Sequence, residues 1–288
     1  MQLSDKALLV QLNVSQWTAR KLDKRVTKEV ADTHGANRAA GNYNKRLLPM
    51  NDKLDAVHTK TSLMRADFYK QTLPWGLEGT HMLPSKNYLA FMAEFRKHKA
   101  EWDLLVGRFL WDYEQLLRQA GSNAQSFLGG LYDPNDYPPV EVVKQKFKVD
   151  MVVLPVPTSD FRVQISDSEL AGIHADVERR VQESVRGAMD EAWNRLYKQV
   201  STMAQRLGNP EGKLYDSLID NARELCTILT RLNVTDDPDL EAMRQEVEAK
   251  LTPHDKDVIK ADPKLRQSLA DEAAEIMRRM GAFMGQPS

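Results

Sequence analysis

The residues best suited to metal or nucleophilic chemistry are six histidines, at positions 34, 58, 81, 98, 174 and 254, and a single cysteine, Cys226. A zinc site needs three or four such ligands, usually in closely spaced pairs, and no two of these residues form one. His98 lies one helical turn from Glu94 and near Glu101, and His174 lies one turn before Glu178. Either spacing could carry an acid/base pair or half a metal site, but it is also that of ordinary i, i+4 contacts on a solvated helix face. Asp133 and Asp136 sit in a Pro/Asn-rich stretch where they could hold a hard cation, or close turns through their own backbone. The glycine patterns that cradle phosphates or present a nucleophilic serine do not occur. No catalytic residue, cofactor-binding residue, metal ligand or cofactor is assigned, and the expectation is a non-enzymatic protein.

Binding chemistry is better represented. Arg20, Lys21, Lys24, Arg25 and Lys28 recur at spacings of one and four, the pattern of a broad cationic helix face, and Lys45-Arg46 follow. With Trp17 and Trp75 available for stacking, these are the residue types that track phosphates and support exposed bases. Arg20, Lys21, Lys24, Arg25, Lys28, Lys45, Arg46 and Trp75 are therefore candidate nucleic-acid contacts. Charge is distributed to match: residues 1–99 carry 17 Lys+Arg against 9 Asp+Glu, while the whole 288-residue chain has a net charge of −1. Such an asymmetry means either an anionic partner or attraction between the basic and acidic parts of the chain.

The element around which these residues must be arranged is one long helix from Ser166 to Gly208. Ser166-Asp167-Ser168-Glu169 is a capping box, in which the first serine and the glutamate satisfy free backbone N–H groups of the first turn. Gly208-Asn209-Pro210 is its stop. Between them Leu170, Ile173, Val177, Val181, Val185, Met189, Trp193, Leu196, Val200, Met203 and Leu207 recur in steps of three and four. Arg179, Arg180, Glu183, Arg186, Asp190, Arg195 and Lys198 take the other face. At about 60 Å the stripe exceeds what a compact body of this size covers, roughly 40 Å across, so part of it should extend or self-associate. Trp193, Leu196, Val200, Met203 and Leu207 keep the 3-4 spacing of a coiled-coil seam and are the candidate helix–helix interface.

Alternation over Leu8–Val14 predicts a strand, Ser15 an N-cap for a helix to about Val30, and Leu54, Val57, Met64 and Phe68 the buried face of a helix over 49–71. Leu73 to Gly79 reads as a loop carrying a tryptophan. After Pro84 a second long helix runs to about Ala120 with Phe91, Phe95, Trp102, Val106, Phe109 and Tyr113 inward, the natural mate for the first. Phe147–Val153 and Phe161–Ile165 alternate on either side of a proline-rich turn, a hairpin. Asp237-Pro238 and Asp262-Pro263 each start a short helix, an N-cap acid before a proline whose missing N–H costs nothing there. The fold class is thus mainly α, or α+β with a minor hairpin: two long antiparallel helices bridged by a loop and hairpin, with shorter helices at both ends. Its segments are a basic one over 1–84, the two long helices with their connection over 85–208, and an acidic helical one over 209–288. Neither a membrane-spanning apolar run nor a signal-peptide pattern is present, and one cysteine suits a reducing compartment, so a cytoplasmic protein is expected.

Leu73-Pro74-Trp75-Gly76, Met82-Leu83-Pro84, Asn87-Tyr88-Leu89-Ala90-Phe91, Asp136-Tyr137-Pro138, Val153-Leu154-Pro155-Val156-Pro157 and Asp160-Phe161-Arg162-Val163 together resemble an uncharacterised protein family of tailed bacteriophages. The resemblance covers most of residues 1–250 and brings no catalytic signature with it. Members are often encoded near a MoxR-like AAA ATPase and a von Willebrand factor A-type protein, which implies a role in the infected host cytoplasm, as partner or client of a remodelling complex. The leading expectation is a non-enzymatic interaction or assembly protein, acting through helical surfaces on a protein partner or on itself. The alternative is a nucleic-acid-binding protein of phage replication or recombination.

Overall fold

The computed structural model describes residues 3–49, 51–119, 127–158 and 166–284, and over these the chain is mainly α with a small amount of β. A single turn, α1 (Leu3–Lys6), leads into β1 (Ala7–Ser15), where Ala7, Leu9 and Val10 are buried. The helix expected from Ser15 does not form. Ser15 instead donates from its hydroxyl to the Lys146 carbonyl, Ala19 takes a left-handed φ of 51°, and the chain continues into β2 (Arg20–Leu22). Helix α2 (Lys24–Thr33) starts only after Asp23, whose carboxylate accepts from the Arg25 and Val26 amides. An aspartate aimed at two free helix amides outcompetes the serine eight positions earlier. Next come β3 (Asn44–Arg46), paired antiparallel with β2, and α3 (Asp52–Gln71), which buries Leu54, Val57, Met64 and Phe68 as expected.

The stretch read as a loop contains a two-residue strand, β4 (Leu73–Pro74). It pairs with β5 (His81–Pro84), which pairs with β1 in the register Ala7↔Pro84 to Val10↔His81. The sheet order is β4-β5-β1-β6, which leaves Pro74 on an edge strand where its missing donor is tolerated. Helix α4 (Tyr88–Gln119) buries the predicted stripe from Phe91 to Tyr113. A short α5 (Val140–Lys144) precedes β6 (Lys148–Pro155). The proposed hairpin partner of β6, Phe161–Ile165, lies outside the described residues; the neighbour of β6 in the sheet is β1.

The long helix is α6 (Asp167–Leu207), and its start follows the serine half of the capping box: the Ser166 hydroxyl accepts from the Glu169 amide, and the Glu169 carboxylate accepts from that hydroxyl at 3.2 Å. Its end follows a different device. Gly208 stays right-handed at φ −71°, and the last carbonyls are taken by Arg266, which donates to Leu207, Arg206, Pro210 and Gly212 at 3.0–3.2 Å. After α7 (Asp216–Leu232) come α8 (Pro238–Leu251), α9 (Lys256–Ala261) and α10 (Pro263–Phe283). Asp237 and Asp262 cap α8 and α10 as predicted, each accepting from two amides.

The packing divides into two compact units that do not follow the three sequential segments 1–84, 85–208 and 209–288. One comprises residues 1–11, 68–92 and 152–288, the other 12–67 and 93–151. In the second, Trp17 packs on Phe109 and Tyr113 at ring distances of 6.0 and 5.1 Å, and the Trp102 indole N–H donates to the buried Thr61 hydroxyl. In the first, α6 buries Met189, Trp193, Leu196, Val200, Met203 and Leu207 in one cluster with residues of α7, α8, α9, α10 and the sheet. The mate of α6 is therefore α10, supported by α7, and not the expected α4, which gives no residue to this cluster. Trp193 stacks on Phe283 at 5.7 Å and donates its indole N–H to Asp237.

Val200 is fully enclosed there. Val200→Asp places a carboxylate where no partner exists and should cost about 3 kcal/mol or more, read as a large fall in the urea midpoint. An unchanged midpoint would mean that this seam is not the core of the unit.

Candidate functional site

The candidate interface residues Trp193, Leu196, Val200, Met203 and Leu207 are all core, so they are not free to meet a partner. The part of the stripe that is not enclosed lies upstream. Leu170, Val177, Val181 and Val185 are half-buried, and Ile173 is 39% exposed. Beside them runs an apolar cleft of about 460 Å³, lined by Pro74, Trp75, Leu77, Pro157, Val177 and Val181. A second cleft of about 290 Å³ opens among Leu3, Val156, Pro157, Val177 and Val181, so the two valines serve both.

Three local features hold the first cleft in shape. Ala188 and Ala192 are fully buried where α6 meets β4, and such small side chains let a strand approach a helix closely. Arg195 donates to Glu191 at 2.9 Å and to the carbonyls of Lys70 and Thr72 at 3.1 and 2.9 Å. It thereby ties α6 to the open C-terminal end of α3, where a cation is favoured by the helix dipole. Gly76 passes so near α6 that a Cβ there would stand 2.8 Å from the Ser184 hydroxyl. The next turn is closed by the Thr80 amide donating to Leu77, and by Gly79 at a φ of 70°. Leu77 is left 59% exposed at the mouth. The rim is charged but locally neutral: Arg180 is held by Asp176 at 2.7 Å, and Arg179 by Glu183 at 2.9 Å.

Trp75 is a wall of this cleft, only 7% exposed, and not a free stacking platform. Nor do the five cations share one helix face. Arg20 and Lys21 are on β2, Lys24, Arg25 and Lys28 on α2. Lys45 is 6% exposed, with its ammonium 2.6 Å from Asp136 and 3.4 Å from Asp23. Lys21 takes the other Asp136 oxygen, and Arg25 donates to the Gly130 carbonyl at 2.9 Å. Lys28 stands 4.0 Å from Asp32, and Arg20, Lys24 and Arg46 are exposed without an ion pair among the described residues. Asp133 closes a turn onto Asn135. The His98 imidazole faces Asp67 at 3.7 Å, while Glu101 is claimed by Lys60. Gly76 and Leu77, in the stretch that reads as a loop, and Pro157, in the proline-rich turn, meet at the cleft only through folding, and Arg195 ties helices together instead of standing in water.

Burial pushes the Asp136 carboxyl up, but the ammonium groups of Lys21 and Lys45 together outweigh it and hold the carboxyl below its ordinary range. For Lys45 burial works downward, and the two carboxylates more than reverse it. Because the folded-state pKa of Asp136 is depressed, its contribution to stability is complete above its unfolded value of about 4 and is lost as pH falls through the lower folded value. Asp136→Asn takes the shared carboxylate from Lys21, which is half exposed, and from buried Lys45, which keeps Asp23 and the Leu131 carbonyl. It should cost about 1–2 kcal/mol at pH 7, while removing part of the loss of stability below about pH 4. Thermal melts between neutral and acid pH check both; a variant as stable as the parent at pH 7 would contradict the cluster.

Compared with protein-family models, with curated proteins and with solved structures, the chain finds no match.

Proposed function

We propose that this chain is a non-enzymatic interaction protein that associates with a protein partner through the upstream half of α6, and that the partner is a second copy of itself. The observation that carries this reading is the unequal burial of one continuous stripe: enclosed from Met189 to Leu207, half-covered or exposed from Leu170 to Val185. Exposed apolar surface continuous with a groove marks a docking face more often than a solvent-facing one.

Charge supports self-pairing. Residues 167–178 contain Asp167, Glu169, Asp176 and Glu178 and no lysine or arginine; residues 179–187 contain Arg179, Arg180 and Arg186 against Glu183. Asp176 and Glu183 already pair with Arg180 and Arg179 on their own helix. In two such helices crossed antiparallel about Val177, the charges left to meet are therefore Asp167 and Glu169 of one copy and Arg186 of the other, with Ile173 opposite Val181. A two-fold contact of this kind is self-complementary by construction, and opposed charges fix its register and direction.

The resemblance to tailed-phage proteins supports a setting for this association: the cytoplasm of an infected bacterium, beside a remodelling ATPase. No helix among the described residues is long and apolar enough to cross a membrane. A nucleic-acid role using Arg20, Lys21, Lys24, Arg25, Lys28, Lys45, Arg46 and Trp75 as one surface has less support, since Lys21 and Lys45 are engaged with Asp136 and Trp75 is buried.

Sedimentation over a range of concentrations tests the proposal. The parent chain should show a dimer that dissociates on dilution. Ile173→Asp should remain monomeric with an unfolding free energy within about 0.5 kcal/mol of a matched monomer, because the residue faces outward. A parent chain that stays monomeric at every concentration would overturn self-association.

A further inference from the structure

The two-stranded β2–β3 ribbon carries like charges directly opposite one another twice over: Arg20 faces Arg46, and Lys21 faces Lys45. Like charges in directly opposed cross-strand positions repel, and an anion held between the members of a pair relieves that repulsion. Side chains alternate between the two faces of a strand, which puts the lysine pair on one face and the arginine pair on the other. The lysine face supplies its own counter-ion, since Asp136 is gripped by both Lys21 and Lys45 and Asp23 stands behind. Among the described residues the arginine face has none: neither Arg20 nor Arg46 makes a hydrogen bond or an ion pair.

Both arginines open instead onto a cleft of about 370 Å³. Its wall is mixed, with Ala19, Leu48, Pro49 and Leu54 beside the polar groups. Thr18, Ser62 and Gln16 line it, as does Asn51, whose side-chain oxygen caps α3 by accepting from the Lys53 and Leu54 amides and whose amide N–H₂ remains available. His58 donates from Nε2 to the Trp17 carbonyl at 3.0 Å, which fixes the ring with Nδ1 on its other side. Among the described residues Asp55 is the one acid in the wall, and it pairs with neither arginine. Among the described residues no Phe, Tyr or Trp lines the cleft, and His58 is its one aromatic ring.

We infer that the Arg20–Arg46 cleft is a binding site for a compact phosphate-bearing anion, held by two guanidinium groups that the fold leaves without a counter-charge. Guanidinium forks match phosphate oxygens in pairs, and bound anion would turn the cross-strand repulsion into a bridge. This site is independent of the α6 docking face.

Thermal melts of the full chain with inorganic pyrophosphate, against sodium chloride at matched ionic strength, test it. Pyrophosphate should raise the melting temperature of the parent beyond the chloride control. Arg46→Gln should melt no lower than the parent without ligand, because it relieves the repulsion, and should bind pyrophosphate about tenfold more weakly, the loss of one charge-assisted contact. Arg20→Gln should behave alike, while Lys24→Gln, outside the cleft, should keep the parent response. No response of the parent beyond chloride, or an undiminished response in both arginine variants, would overturn the site. Tight binding of a short DNA oligonucleotide without any response to pyrophosphate would likewise overturn a compact ligand in favour of a polymer.

Discussion

A 41-residue amphipathic helix presents more apolar stripe than three shorter helices can cover, and the unit around α6 is arranged by that mismatch. From Met189 to Leu207 the stripe is sealed by α10 and α7, with α8 behind them and the sheet edge closing in at Ala188 and Ala192. Helix packing, not intrinsic propensity, supplies most of the stability of such a segment. The sealed half therefore holds the rest in place: Arg266 reaches from α10 to the last carbonyls of α6, Trp193 anchors Asp237 at the head of α8, and Arg195 binds the carbonyls at the end of α3. Upstream of Ala188 the cover thins: Val185 and Val181 still pack on the cluster but are only half-buried, and the stripe continues into a cleft.

The second unit solves a charge problem. Much of the basic surplus of the first hundred residues is met by acids from residues 101–136: Lys21 and Lys45 by Asp136, Lys53 by Asp112, Lys60 by Glu101. Attraction between basic and acidic stretches of the chain, one of the two readings of the charge asymmetry, thus accounts for part of it. Among the cations left over are Arg20 and Arg46 on the arginine face of β2 and β3, where the same ribbon that satisfies its lysines leaves its arginines without an ion pair among the described residues.

Legibility tracked how local the determinant was. The heads of α6, α8 and α10 could be read because capping boxes and Asp-Pro pairs act within a few residues of themselves. The buried faces of α3 and α4 could be read because a stripe records that a face is covered. It does not record by what, and so α4 was expected where α10 is found. Arg195 and Arg266 escaped notice for a related reason: their acceptors are main-chain carbonyls, which every residue carries. At Arg20–Lys28 the spacing of four fitted a helix, but the left-handed turn at Ala19 and the Asp23 cap divide those cations between a strand and a helix. The cleft wall at Gly76, Leu77 and Pro157 has no signal in sequence, since its parts meet only after folding.

Amide hydrogen exchange along α6, followed as protein concentration is raised, addresses the divided stripe most directly. The account predicts strong protection over residues 188–207 at every concentration, and weaker protection over 167–185 that increases as copies associate. Equal protection along the whole helix in dilute solution, or an upstream half indifferent to concentration, would contradict it.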